Sequence, residues 1–522
     1  MSTAPSASAT NVSNAYDVIV IGSGIGGLAT ASILAQVGKR RVLVVERHFK
    51  LGGFTHSFRR KDYEWDVGVH YVGEMQPGAM TRRIMDLVTR KGVDWHRIGS
   101  PFERFVFPEG KFEVPDDPKL YMQKLIERFP AEEANIRTYF KDLKKAQAWV
   151  ARWFVGKQLP KWLASLSTFF GKKRVSQTTG EYLSRFKDPL LKAILPAQWP
   201  DFGSRPGESA FGFHAAVAAD FLNGGFFPIG GSKELANHAA AAITDNGGQC
   251  LINHEVLRIN VTNGKATGIT ALHKGQEVEF TAPVIISNTG AVTTFNRLVP
   301  EEHCKAEREV TRRLKRGTSS LVLFVGLKDD PRKHGFDDAN YWLYNQLNHD
   351  RKPGYQEDEP DRIDGGFVSF CSLKRPDATA HTAQVISFST EHEWQKFGGK
   401  WKQRGEDYEK RKEEVTENML AFAERHMPGF RSMIDYVELS TPLTVKTFTG
   451  HEAGMIYGQA CNPDRLWNDS WRVGTSLKNL YLTGSDVGTP GVNGALMAGV
   501  MTAAKVLGPF GLPRIFTKAF SI

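Results

Sequence analysis

The run Tyr16-Asp17-Val18-Ile19-Val20-Ile21 stops at Gly22, and Gly22-Ser23-Gly24-Ile25-Gly26-Gly27 follows before the chain turns apolar again. A buried strand, a glycine-rich turn, a helix over residues 28–37 and a second buried strand over 41–46 make a β-α-β unit. Each glycine of the G-x-G-x-x-G pattern has a task. Gly22 permits the tight turn, Gly24 lets backbone approach a pyrophosphate, and Gly27 lets the helix pack closely on the sheet. The helix N-terminus adds unpaired N–H groups and positive partial charge for phosphates. Glu46 ends the second strand, where a carboxylate accepts hydrogen bonds from two ribose hydroxyls and repels a 2′-phosphate. The chain therefore reads as a binder of FAD or NAD, with NADP disfavoured.

A length of 522 residues suits two or three folding units. The apolar share of 41% and the charged share of 24% are those of a soluble globular protein. An excess of 67 Lys and Arg over 57 Asp and Glu gathers at Lys39-Arg40-Arg41, Arg59-Arg60-Lys61 and Lys172-Lys173-Arg174. Such clusters attract anionic lipid or serve as solvated charge around a pyrophosphate. No nucleic-acid-binding signature accompanies them, so no nucleic-acid partner is expected. Cys250, Cys304, Cys371 and Cys461 stand far apart, which argues against a disulfide framework or a structural zinc site and suits a reducing compartment. The Ser/Ala/Thr-rich start reads as a floppy tail, and no apolar run reaches spanning length. The expected location is the cytoplasm or the cytoplasmic face of a membrane.

Beyond the first unit the pattern mixes. A hairpin is expected between 104–107 and 111–114, a helical stretch over 118–150, a helix over 230–242 and a strand meander over 250–287 with turns at Asn263-Gly264 and Lys274-Gly275. Residues 351–364 read as a charged loop, 406–426 as a surface helix, 480–483 as a strand and 494–507 as a small-residue helix. Trp149, Trp153, Phe154, Trp162, Phe169 and Phe170 precede Gly171-Lys172-Lys173-Arg174. That stretch fits a bilayer interface and fits equally a helical lid over a greasy pocket.

Further blocks carry a family likeness. Leu51-Gly52-Gly53-Phe54-Thr55-His56-Ser57 is followed by Asp66-Val67-Gly68-Val69-His70-Tyr71-Val72-Gly73, then by Phe227 to Leu235 and the strand from His254 to Ile259. Thr441 to Thr444, with Thr449-Gly450 and Gly454 to Gly458, resembles a late substrate-domain strand. Leu482 to Asn493 makes a second glycine-rich block ahead of the last small-residue helix. Together these resemble the phytoene desaturase-type flavoproteins, and the His70-Tyr71 pair is most similar to the retinol saturase branch. The resemblance covers most of residues 16–507 and is weak over about 115–225 and 330–435.

The likeness implies an α/β fold: a Rossmann-type FAD-binding domain with a parallel sheet and a β-meander, joined to a mixed α+β substrate domain. Residues 16–114, 226–310 and 476–510 fall to the cofactor, 115–225 and 311–475 to the substrate, and 1–15 to the tail. FAD contacts are implied for Gly22, Gly24, Gly27, Glu46, Arg47, Gly53, Phe54, Thr55, Val256, Gly484, Asp486, Gly491, Val492 and Asn493. The substrate is a hydrophobic small molecule, and NAD(P)H or another electron donor visits transiently.

Saturating a C=C bond needs a proton at one carbon and hydride at the other. His70 and Tyr71 are the expected donors, with Tyr457 third; packing against the flavin is an equal reading of the first two. His56 reads as a backbone hydrogen-bonding residue. Desaturation or isomerisation on the same scaffold is the near rival. An amine oxidase would need an aromatic cage or a carboxylate-binding Arg, and a Rab GDP-dissociation-inhibitor-type binding protein would not keep these glycines and Glu46. Oligomeric state has no signature.

Overall fold

The computed structural model describes residues 15–351, 363–389, 391–468 and 471–522. The expected tail lies outside the described residues except for Ala15, which bridges to Thr281, and most of the expected loop at 351–364 lies outside them too.

Among the described residues, five short strands form an all-parallel sheet in the order Leu480–Leu482, Ile285–Ser287, Val18–Ile21, Val42–Val45, Gln249–Leu251. Val18–Ile21 and Val42–Val45 are buried at every position, as continuous apolar runs require when both faces of a parallel sheet are covered. The helix Ile25–Gln36 begins three residues earlier than its apolar pattern suggests, because the glycines themselves form its first turn. It packs on the last long helix, Gly491–Leu507. The two approach so closely that a Cβ on Gly499 would lie 2.7 Å from the Gly26 carbonyl oxygen.

The meander appears as Glu255–Thr262, Lys265–His273 and Gln276–Thr281, with Asn263 and Lys274 at positive φ (51° and 49°) in its two turns. Asn and Gly tolerate that backbone, and these tight turns require it. A seven-stranded mixed sheet builds the second unit, in the order Ile434–Ser440, Ser319–Leu327, His381–Ser389, Gly365–Ser369, Asn340–Tyr344, Glu103–Phe107, Gly110–Val114. The hairpin at 103–114, grouped with the cofactor unit by sequence, runs in this second sheet beside Asn340–Tyr344.

Two expectations are corrected by local chemistry. The helical stretch over 118–150 is two helices, Pro118–Arg128 and Glu133–Gly156, broken at Phe129-Pro130 because proline cannot extend the first. The stretch after Thr441 is a helix, Pro442–Thr449, where a strand was expected. The family likeness suggested a strand, yet Thr441 and Thr444 form a capping box, Pro442 sits in the first turn and Gly450 ends it at φ 76°. Tyr457 therefore lies in a loop.

The aromatic stretch divides. Trp149, Trp153 and Phe154 are buried on the helix Glu133–Gly156, whereas Trp162, Phe169 and Phe170 are 72%, 70% and 84% exposed around the short helix Lys161–Thr168. Among the described residues no helix is long and apolar enough to cross a membrane.

Candidate functional site

One cavity of about 910 Å³ runs from the first glycine turn into the face of the seven-stranded sheet. Gly22, Gly24, Gly26, Glu46 and Arg47 line one end, Gly484, Asp486, Gly491 and Val492 another wall, and Gly53, Phe54, Thr55 and Val256 the space between. Gly27 and Asn493 stand behind these walls. A Cβ on Gly27 would come 2.3 Å from the Gly22 carbonyl oxygen, so its role is to let the helix start against the strand end. Asn493 turns its Nδ2 to the carbonyl of Gly73, 3.0 Å away, and to Asp220.

Glu46 pins the turn. Its Oε2 accepts the Ser23 backbone N–H at 2.8 Å and the Ser23 hydroxyl at 2.7 Å, and its Oε1 accepts the His48 N–H at 2.8 Å. Ser23 Oγ in turn accepts the Gly52 N–H at 3.0 Å, which holds the Gly52-Gly53 segment against Gly24. Asp486 is buried and accepts backbone N–H groups from Ala291 at 2.8 Å and Gln459 at 3.2 Å, so three distant segments meet on one carboxylate. Arg47 donates to the Thr447 carbonyl at 2.6 Å. Thr55 Oγ1 donates to the Gly52 carbonyl.

Asn288, which sequence reasoning missed, joins the two glycine blocks. Its Nδ2 lies 3.4 Å from the carbonyls of Gly22 and Gly24, and its Oδ1 would sit 2.6 Å from a Cβ on Gly484. The available signal was its place at the end of the strand Ile285–Ser287, ahead of Thr289-Gly290.

The cradle fits a dinucleotide. Among the described residues no side chain caps the helix Ile25–Gln36 and its first turn carries no acid, so its free N–H groups open on the cavity beside Gly22, Gly24 and Gly26. A Cβ on Gly24 would lie 2.9 Å from Asn288 Nδ2, and one on Gly53 3.1 Å from the Gly24 Cα.

The far end is apolar and aromatic, with Val322, Phe324, Trp342, Phe367, Ile386 and Phe388 on its walls, and His70, Asp201 and Tyr457 among them. Burial, and then the Lys374 ammonium, lowers the His70 imidazole to about 3, so it is neutral near pH 7 and lacks the imidazolium proton that a general acid would give. Its carbonyl accepts from Lys374 Nζ at 2.9 Å. Tyr71 is absent from the cavity wall; its ring stacks on Phe221 at 4.2 Å between centroids and its hydroxyl meets Glu103 and Asp201. Burial pushes the Tyr457 phenol up. His56 holds the Gly53 carbonyl, and burial lowers it to about 4.

The model for flavin-containing amine oxidoreductases matches residues 25–507. The chain belongs to that family. It is an FAD-dependent oxidoreductase, and the flavin supplies the redox chemistry while Gly22, Gly24, Gly26 and the uncapped helix face the groove that fits it. This flavoprotein is 33% identical to the all-trans-retinol 13,14-reductase of Rattus norvegicus, over 96% of this chain and 87% of that one. It is 26% identical to the chloroplastic prolycopene isomerase of Daucus carota, over 96% and 82%. These relatives bear out the resemblance read from Asp66 to Gly73. The cyclohexylamine oxidase of Brevibacterium oxydans shares the fold, with a TM-score of 0.60 at 16% identity over 97% and 99% of the two chains.

Proposed function

We propose that this flavoprotein saturates a C=C bond of a hydrophobic, conjugated isoprenoid, in the manner its retinol 13,14-reductase relatives' name describes. The carrying observation is continuity: the glycine cradle opens without a partition onto a chamber walled by Trp342, Phe367 and Phe388. A flat, conjugated chain gains there from burial and from aromatic faces, at roughly 25 cal/mol per Å² of apolar surface. The parallel-sheet unit holds FAD through the residues inferred from sequence, Glu46 and Arg47 at one end and Asp486, Gly491 and Val492 at the other. The seven-stranded unit holds the substrate. Apolar walls keep water from competing for the transferred hydride.

Isomerisation or desaturation is the second reading, favoured by the likeness to prolycopene isomerase. Reduced protein mixed anaerobically with all-trans-retinol distinguishes them. Bleaching of the polyene with return of oxidised flavin is expected; an intact chromophore with altered retention time would favour isomerisation. NAD(P)H, or another small electron donor, re-reduces the flavin transiently.

Contact with a membrane surface belongs to the same reading, because a substrate of this kind partitions into lipid. Trp162, Leu166, Phe169 and Phe170 are exposed beside Lys172 and Lys173. The protein is expected to float with anionic liposomes, and Trp162→Ser with Phe170→Ser to stay at the bottom; a wild type that stays at the bottom contradicts the contact.

A further inference from the structure

Tyr71 has one hydroxyl proton, yet its oxygen lies 2.7 Å from Glu103 Oε1 and 2.5 Å from Asp201 Oδ2. With both carboxyls ionised, that proton would serve one of them and leave a phenol lone pair pressed on a bare carboxylate oxygen. The phenol, 8% exposed, sits behind the cavity wall where solvent has little access to relieve that repulsion. One carboxyl therefore carries a proton and donates it to the phenol.

The remaining partners decide which. Glu103 receives the Trp342 indole N–H at 3.1 Å on the same oxygen and the Gln198 amide at 2.7 Å on the other, the setting of a carboxylate. Among the described residues, Tyr71 is the one hydrogen-bond partner of the Asp201 carboxyl. The chain of bonds runs from Asp201–OH to Tyr71–OH to Glu103–COO⁻. Glu103 and Tyr71 are behind the wall, and Asp201 lines the cavity beside His70, Trp342 and Tyr457.

We propose that Asp201 is the proton donor of the saturation, held protonated by Tyr71 and Glu103, which act as positioning residues. The assignment rests on the saturase reading above. One alkene carbon takes hydride from the reduced flavin, and its neighbour takes the Asp201 proton, which turns from the Tyr71 oxygen toward the cavity as it is given up. The π bond breaks, two C–H bonds form, and the two electrons leave the flavin oxidised. Asp201 becomes a carboxylate, the Tyr71 proton swings from Glu103 to Asp201 Oδ2, and solvent reprotonates Asp201 once the product leaves.

The electrostatics agree with that order. Burial raises both carboxyls, Glu103 to about 7, and the charge of Glu103 adds to the rise of Asp201. The other groups that act on the pair are Tyr457 and Tyr344, which feel Asp201, Tyr121, which feels Glu103, and Lys374, whose ammonium draws Glu103 down. A neutral phenol or imidazole surrounds the donor, and the cation favours charge on Glu103.

Infrared spectra of the flavin-loaded protein at mildly alkaline pH, above the Glu103 value, test the proton's place without turnover. A carboxylic-acid C=O band should be present, Asp201→Asn should remove it, and Glu103→Gln should keep it but move its titration to lower pH. Asparagine donates its amide N–H to Tyr71 as the protonated acid does, so Asp201→Asn should keep its fold and flavin. Anaerobic bleaching of all-trans-retinol by that reduced variant should slow by about 100-fold or more. A band indifferent to Asp201→Asn, or bleaching by that variant at the wild-type rate, overturns the donor role alone. A wild type that leaves retinol intact overturns the functional reading, and the donor role with it.

Discussion

Gly27→Ala is expected to purify without flavin. The added methyl would meet the Gly22 carbonyl oxygen at 2.3 Å and Asn288 Nδ2 at 3.0 Å, and the first of these is backbone that cannot swing aside. Relief requires the helix Ile25–Gln36 to move away from the strand Val18–Ile21, which takes its free N–H groups off the cavity. Overpacking of this kind costs about 1–3 kcal/mol, and against backbone that cannot yield the upper end applies, so FAD affinity should fall by roughly 100-fold. The ratio of flavin to protein absorbance after dialysis reads the effect. Gly474→Ala is the matched control, since a methyl there has nothing within 4 Å among the described residues; full flavin in Gly27→Ala would contradict the packing effect.

Glu46→Ala is expected to weaken FAD binding by about 100-fold and to lower the urea midpoint as well. Two effects add. The variant strands the Ser23 and His48 N–H groups in a buried site, since Glu46 is 7% exposed, and hydrogen bonds to a charged acceptor contribute about 1.5–3 kcal/mol each. It also removes the acceptor proposed for the adenosine ribose. Glu46→Gln separates the two, because its amide oxygen can still accept from Ser23 while the amide group no longer accepts at both ends. That variant should keep most of the stability and lose a smaller share of the affinity. Fluorescence titration of apoprotein with FAD gives the comparison, and an unchanged Kd in Glu46→Ala would place the nucleotide elsewhere.

The parts legible in the sequence are those whose determinants are neighbours in the chain. Gly22 to Gly27 lie between two buried strands, and Glu46 follows at the end of the second, so turn, helix and acid are fixed within one β-α-β unit. The helix Glu406–His426 and the two meander turns were legible for the same reason. The helix Pro442–Thr449 was misread because the block was assigned by family likeness, while the deciding local contacts are a cap and a proline in its first turn. The acidic pair at the far end of the cavity had no local signal. Glu103 sits on an edge-side strand of one sheet and Asp201 follows Trp199-Pro200 in a short helical turn, and only the tertiary fold brings both to the Tyr71 hydroxyl. Sequence reasoning reached Tyr71 and His70 through family likeness; burial then leaves the imidazole neutral and sets Tyr71 behind Asp201. Asn288 and Lys374 escaped notice likewise, as single polar residues whose partners lie far away in the chain.

A crystal structure of the yellow, flavin-loaded protein is the most direct test of the central claim that two glycine blocks at opposite ends of the chain clasp one cofactor. A single FAD is expected, with its pyrophosphate at the start of the helix Ile25–Gln36, its adenosine toward Glu46 and its ring beside Gly491 and Val492. Density for the nucleotide outside this groove, or a ring facing away from Trp342 and Phe367, would contradict it.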